Sequence, residues 1–145
     1  MWLLLTYKVS SEPTSRRVYI WRKLKRLGAI LLHDAAWVLP ANERTREQLQ
    51  WLVAEIHEME GTATLWEATQ AFNGQNELLV QQFIIQVDQG YQAILNDLRK
   101  DDSDLTALSR RYQQTHLQDY FESSLGKEVR AALLSLQGGG QRPHS

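Results

Sequence analysis

Six cations fall within eleven residues near the start of the chain: Arg16, Arg17, Arg22, Lys23, Lys25 and Arg26. Guanidinium and ammonium groups at this density suit phosphate binding through charge-assisted hydrogen bonds. Residues 1–40 carry a net charge of +5, leaving −6 for the rest of a chain whose total is −1. A basic N-terminal part points to an anionic partner such as DNA. The plainer reading is a solvated helix face that maintains solubility.

Other chemistry is sparse. The four histidines, His33, His57, His116 and His144, are scattered. His57–Glu58 begins like a zincin motif but has no second histidine, so no metal or other cofactor is expected. Without cysteine there is no disulfide framework, thiolate ligand or thiol nucleophile. Ser10, Ser11 and Ser15 sit in a turn with no base implied beside them. Gly138–Gly140 lacks the flanking strand and helix of a phosphate loop. Glu47, Glu55, Glu58 and Glu60 read as a solvated acidic face and not as converging catalytic carboxylates. Arg110–Arg111 and the pair Lys127 and Arg130 could hold an oxyanion, or be ordinary surface charge. No catalytic residue is expected, and the chain reads as a non-enzyme.

The cations must be positioned by a helix. Ile20, Leu24 and Leu27 share one face at helical spacing, with Trp21 beside them, while Arg22, Lys23, Lys25 and Arg26 take the other. Burial is therefore expected for Leu24 and Trp21, exposure for Arg22, Lys23 and Arg26. Thr14 or Ser15 is a candidate N-cap, and Gly28 suits a left-handed C-cap. Before the helix, Trp2–Val9 reads as a strand. After it, Ala29–Leu32 and Ala36–Leu39 form a hairpin turning near His33–Asp34–Ala35 and closed by Pro40. Asn42 caps a second helix, roughly Glu43–Glu60, with a stripe of Leu49, Leu52, Val53, Ile56 and Met59, ended by Gly61. Thr62–Ala68 is a fourth strand. The order β-α-β-β-α-β is the split-βαβ, ferredoxin-like arrangement.

The second half changes character. Gln75–Arg99 is a long helix in which Val80, Ile84, Val87, Tyr91, Ile94 and Leu98 follow a heptad-like seam. Asp104–Glu122, using Leu105, Leu108 and Tyr112, and Leu125–Leu136, with Val129, Leu133 and Leu136 inward, are further helices. Of the five tryptophans, Trp2 and Trp37 fall on strands and read as core, while Trp51 lies off its helix's stripe and could mark a contact surface. The apolar start, Trp2–Leu5, is too short for a signal peptide or a membrane span, so a cytoplasmic protein without a membrane partner is expected.

The stretch WLLLTYKVSSEPTSRRVYIWRKLKRLGAILLHDAAWVLP closely resembles the N-terminal domain of the ChrB family, the chromate-resistance regulators. The similarity continues through REQLQWLVAEIHEMEGTATLWEA, and returns at Phe83, Tyr91 and DYFESSLGKEVRAAL, covering roughly Trp2–Leu136. The resemblance implies a cytoplasmic bacterial protein of the chromate response. Full members are chromate-responsive transcription regulators that usually have a second domain. Ala35 stands where the family often has Gly, and QQFIIQVDQGYQAIL is less charged than the family's Arg-rich run. The first block is also distantly similar to the central domain of PaaX-type repressors and to small CRISPR adaptation nucleases, both ferredoxin-like and dimeric. Those nucleases end their first strand with a metal-binding Asp, whereas Tyr7–Lys8–Val9 stands here.

The expectations are then definite. The fold is α+β, with a ferredoxin-like core over 1–72, a helical extension over 73–137 packed on or swapped with the core, and a disordered tail over 138–145. The function is a regulatory module of the chromate or related stress response, binding DNA through Arg16, Arg17, Arg22, Lys23, Lys25 and Arg26, as a homodimer. The alternatives are an interaction or dimerisation module without nucleic-acid affinity, and a relative of the metal-dependent nucleases.

Overall fold

A strand as apolar as Trp2–Lys8, β1, can be buried only if its backbone groups find partners on both sides. In a computed structural model, which describes residues 1–100 and 102–141, it has them. After β1 come α1 (Thr14–Leu27), β2 (Ile30–Leu32), β3 (Ala36–Pro40), α2 (Glu43–Glu58) and β4 (Thr62–Ala68). The four strands form one antiparallel sheet in the order β2-β3-β1-β4. The register runs from Trp2↔Pro40 to Leu5↔Trp37 on one side of β1, and from Trp2↔Ala68 to Lys8↔Thr62 on the other. It sets Leu3, Leu5, Trp37, Leu39 and Leu65 on one face, and all but Leu65 are buried. Between β2 and β3 the chain reverses through His33 and Asp34, both left-handed at φ 50° and 56°. The protein is thus α+β, with five helices and a four-stranded antiparallel sheet among the described residues.

Helix α1 starts differently from expectation. Pro13 holds the N-cap position in an extended conformation without a side-chain cap, and Thr14 and Ser15 lie inside the helix. Its end is as read: Gly28 is left-handed at φ 82°, its N–H donating to Lys25 and that of Ala29 to Leu24, a Schellman motif. Ile20 and Leu24 are fully buried and Leu27 nearly so, but Trp21 is 52% exposed, against expectation. One helical residue turns about 100°, so Trp21 stands a quarter-turn off the buried stripe.

Helix α2 begins with the expected Asn42. Its Oδ1 accepts from the Thr45 N–H at 2.8 Å, and Thr45 Oγ1 accepts from the Asn42 N–H at 3.0 Å. Its end corrects the sequence reading. The left-handed residue of a second Schellman motif is Glu60, at φ 63°, not Gly61. Gly61 meets a different need: a Cβ there would lie 2.6 Å from Val9 Cγ1 and 2.7 Å from the Lys8 carbonyl oxygen.

The chain divides into two units, Met1–Asn76 and Glu77–Ser145. The second contains nearly all of α3 (Gln75–Leu98), then α4 (Leu105–His116) and α5 (Ser124–Gln141). Its core joins Val87, Tyr91 and Ile94 of α3, Leu108 and Tyr112 of α4, and Val129 and Leu133 of α5. The seam is out of phase with expectation in its first half: Leu79 and Phe83 are buried, while Val80 and Ile84 are only half-buried. Consecutive four-residue steps from Leu79 to Tyr91 replace the alternating heptad steps. Phe83 packs edge-on against Tyr120 and Phe121, in the segment where α4 was expected to continue. Leu136, expected inward, is 46% exposed. Of the tail read as disordered, 138–145, helix α5 includes residues as far as Gln141, and 142–145 lie outside the described residues.

Tyr91 organises this unit. Its ring lies where a Cβ on Gly126 would come within 2.7 Å, so only glycine admits it. Its hydroxyl donates to Asp119 Oδ2 at 2.8 Å, and Asp119 also accepts from the Ser123 N–H at 3.0 Å. The Ser123 hydroxyl donates to Asp88. Burial, then the Asp119 hydrogen bond, push the Tyr91 phenol far above its ordinary range, so it remains a neutral donor.

Two thermal-denaturation tests follow from these contacts. Leu24→Ala should cost about 2–5 kcal/mol, and Trp21→Ala no more than about 0.5 kcal/mol. At the end of α2, Glu60→Gly should stabilise by about 0.5–1 kcal/mol by removing left-handed strain, whereas Gly61→Ala should destabilise by about 1–3 kcal/mol.

Candidate nucleic-acid interface

The apolar stripe of α1 fixes which cations reach solvent. Arg17, Arg22, Lys25 and Arg26 are exposed. The other two of the six candidates turn toward α2 and are half-buried. Arg16 Nη1 donates to the Met59 carbonyl at 2.8 Å, satisfying an orphan acceptor at the end of α2. Lys23 Nζ donates to Glu55 Oε1 at 2.9 Å. Tyr19 donates its hydroxyl to the second Glu55 oxygen, and the Lys23 ammonium lies 5.8 Å from the Tyr19 ring centroid. The expectation that Lys23 stands with the solvated cations is thereby corrected: a carboxylate on the neighbouring helix claims it.

This triad was not legible as a unit. Glu55 read as one of several solvated acids, and Tyr19 was not singled out. The signal available was the four-residue spacing of Tyr19 and Lys23, which places both on one flank of α1. Burial pushes the Glu55 carboxyl up, but the hydrogen bonds from Tyr19 and Lys23 outweigh it and hold the group below its ordinary 4.5. The bond to Glu55 raises Lys23 above 10.5 despite desolvation. The same carboxylate raises Tyr19 above 10.0, keeping its hydroxyl a donor.

Between the two flanks, the outer surface of α1 forms a shallow concavity of about 530 Å³. It is lined by Arg22, Arg26, Lys23 and Tyr19, with Thr14 and Ser15. A second, of about 480 Å³, lies beside it and is lined by Arg17, Trp21 and Tyr7. Val18 and Trp21 are exposed among the cations, with the Lys25 ammonium 6.0 Å from the Trp21 ring centroid. This surface offers several cationic donors and an aromatic ring, groups able to form charge-assisted hydrogen bonds to an anion.

The remaining candidates do not converge. Arg111 is paired with Asp97, which Lys100 also reaches at 2.9 Å; the Arg111 bond, then that of Lys100, lower the Asp97 pKa. His116 stacks on Tyr112. Trp2 and Trp37 are buried, whereas Trp51 is 61% exposed. Among the described residues no group of three histidine or carboxylate side chains could hold a metal ion, and no helix is long and apolar enough to cross a membrane.

A family model described as Protein ChrB, N-terminal, matches residues 17–118. The chain belongs to the ChrB N-terminal family. The match opens at Arg17, so it takes in the exposed cations of α1, and it closes beyond α4. The chain is similar to Protein ChrB of Cupriavidus metallidurans CH34, at 33% identity over 76 residues. That alignment covers 52% of this chain and 23% of the relative, so the match spans less than a quarter of that ChrB protein's length. No solved structure matches the chain.

The Glu55 triad makes this ChrB domain's stability depend on pH at both extremes. Glu55, lowered on folding, contributes stability above the unfolded value of 4.5 that is lost as pH falls through its folded pKa. Lys23, raised on folding, contributes stability below 10.5 that is lost as pH rises through its folded pKa. Melting curves of the wild type and Glu55→Gln should differ by at most about 1 kcal/mol in the intervening plateau, and converge at both ends.

Proposed function

We propose that the chain is a non-enzymatic regulatory module of the chromate-resistance response, a cytoplasmic homodimer that contacts DNA phosphates through α1. Membership of the ChrB family supports the regulatory setting. The β-α-β-β-α-β order with strands arranged β2-β3-β1-β4 supports reading the first unit as ferredoxin-like. The observation that carries DNA contact is the placing of Arg17, Arg22, Lys25 and Arg26 on the solvent side of a helix whose opposite stripe is buried. Arg16 and Lys23 then act indirectly, by bonding α1 to α2 so that the face is presented as a fixed surface. The nuclease reading has little support, because β1 ends in Tyr7–Lys8 and offers no carboxylate for a hard metal ion.

A second reading rests on the exposure of Val18 and Trp21 among these cations. Apolar surface of this kind suits an acidic protein partner, which would use the same face without nucleic acid. Salt dependence separates the two. Four phosphate contacts would give a slope of log K against log salt of roughly −3 to −4, and each contact removed should reduce it by about 0.9. Fluorescence anisotropy against duplex DNA at two salt concentrations should therefore show steep weakening for the wild type. Binding should vanish in Arg22→Glu/Arg26→Glu, which should keep the wild-type far-UV circular dichroism. Equal, weak and salt-insensitive signals from both proteins would discard DNA contact and leave the acidic-partner reading.

A further inference from the structure

The sheet ends in a strand that is paired on one side only. β4 has β1 on one side, and among the described residues no strand pairs with its other side. No turn or loop backbone hydrogen bond reaches it either. Such an edge is a template for another strand unless something blunts it: brevity, proline, an inward charge, lysine or a bulge. β2, at the far edge, is blunted by its length of three residues. β4 is seven residues long, TATLWEA, with no proline or lysine, and its register with β1 is unbroken through all seven pairs, so it contains no bulge. Its one charge, Glu67, is already held by the Arg46 guanidinium at 2.6 and 2.9 Å.

The geometry points to β4 of a second copy of this chain as the occupant of that edge, paired antiparallel about a two-fold axis at Leu65. The strand is complementary to itself in this register. Antiparallel pairing about Leu65 sets Thr64 opposite Trp66 of the other copy, Ala63 opposite Glu67, and Thr62 opposite Ala68. Leu65 then meets Leu65 on the axis, the large Trp66 and Glu67 each meet a smaller residue, and no charge faces a like charge. Trp66 is 53% exposed, anchored through Nε1 to Thr6 Oγ1 at 3.1 Å, and would lie over the small Thr64 across the axis. The two sheets would join into one of eight strands with neither β4 edge left open. An unrelated extended peptide could use the same backbone groups, but the two small-against-large pairs, Thr64 with Trp66 and Ala63 with Glu67, together with the absence of facing like charges, favour a second copy. This inference gives the dimeric part of the proposed function a surface; it does not depend on DNA contact, since α1 takes no part in the pairing.

The test is sedimentation velocity on the full chain from low micromolar to several hundred micromolar, with two charge variants at exposed β4 positions. Thr64→Lys/Trp66→Lys sets lysine against lysine twice, once on each side of the axis, and should weaken the dimer about tenfold or more. Thr64→Lys/Trp66→Glu sets lysine against glutamate twice, and should restore a dimer that dissociates with added salt. Both variants should keep the wild-type far-UV circular dichroism, which reports folding separately from association. Backbone amides of β4 should also gain hydrogen-exchange protection in proportion to the dimer fraction. A wild type that is monomeric throughout, a lysine–lysine variant that dimerises as well as the wild type, or a lysine–glutamate variant that stays monomeric while folded would each overturn the pairing. None of these outcomes alters the anisotropy test of α1, so failure here is distinct from failure of DNA contact.

Discussion

The constraint on which the first unit depends is the pairing of β1 on both sides. Leu3 and Leu5 are fully buried, and a strand in that position can leave no backbone donor or acceptor unpaired. β3 and β4 supply the partners, both antiparallel. Because β3 lies between them, β1 and β2 run in the same direction, and strands so related need a long crossover between them. That crossover is α1. Its apolar stripe and the residues it turns to solvent follow from the central strand and not from helix propensity alone.

Within that frame α1 divides its charges. Ile20, Leu24 and Leu27 face inward, Arg16 and Lys23 bond to α2, and Arg17, Arg22, Lys25 and Arg26 remain on the solvent side. A run of cations that looks uniform in sequence therefore has two physical roles. The neighbours at the α2 flank, Glu55 and the Met59 carbonyl, are acceptors contributed from more than thirty positions further along the chain. The basic face is smaller than its composition suggests, and its placement is firmer.

Signals that act over a few residues were legible. Asn42 capping α2, Gly28 ending α1, and the β-prone composition of the four strands are local preferences, and each was read to within a residue or two. What failed needed knowledge of the neighbour. Trp21 read as core because the apolar arc of α1 is wider than the stripe that is buried. Gly61 read as a helix cap, but Glu60 takes the left-handed position because Gly61 is required beside Lys8 and Val9. The first half of the α3 seam was one residue out, since its phase is set by where Phe83 meets Tyr120 and Phe121. The exposure of Arg22 and Arg26 was legible from the helical period of α1; the Tyr19–Glu55–Lys23 triad was not, because it joins two helices.

The contact of Tyr91 with Gly126 has a bearing on how this domain can change over generations. The phenol ring occupies the space that any side chain at 126 would need, and Asp119 holds the ring there by its hydroxyl. Neither position can drift alone: a larger residue at 126 is admissible only after the ring at 91 has shrunk, and the shrunken residue leaves Asp119 without its donor. Positions 91, 119 and 126 thus form one heritable unit spread over α3, the α4–α5 link and α5. A lineage that abandons the arrangement must pass through a destabilised intermediate or change all three together.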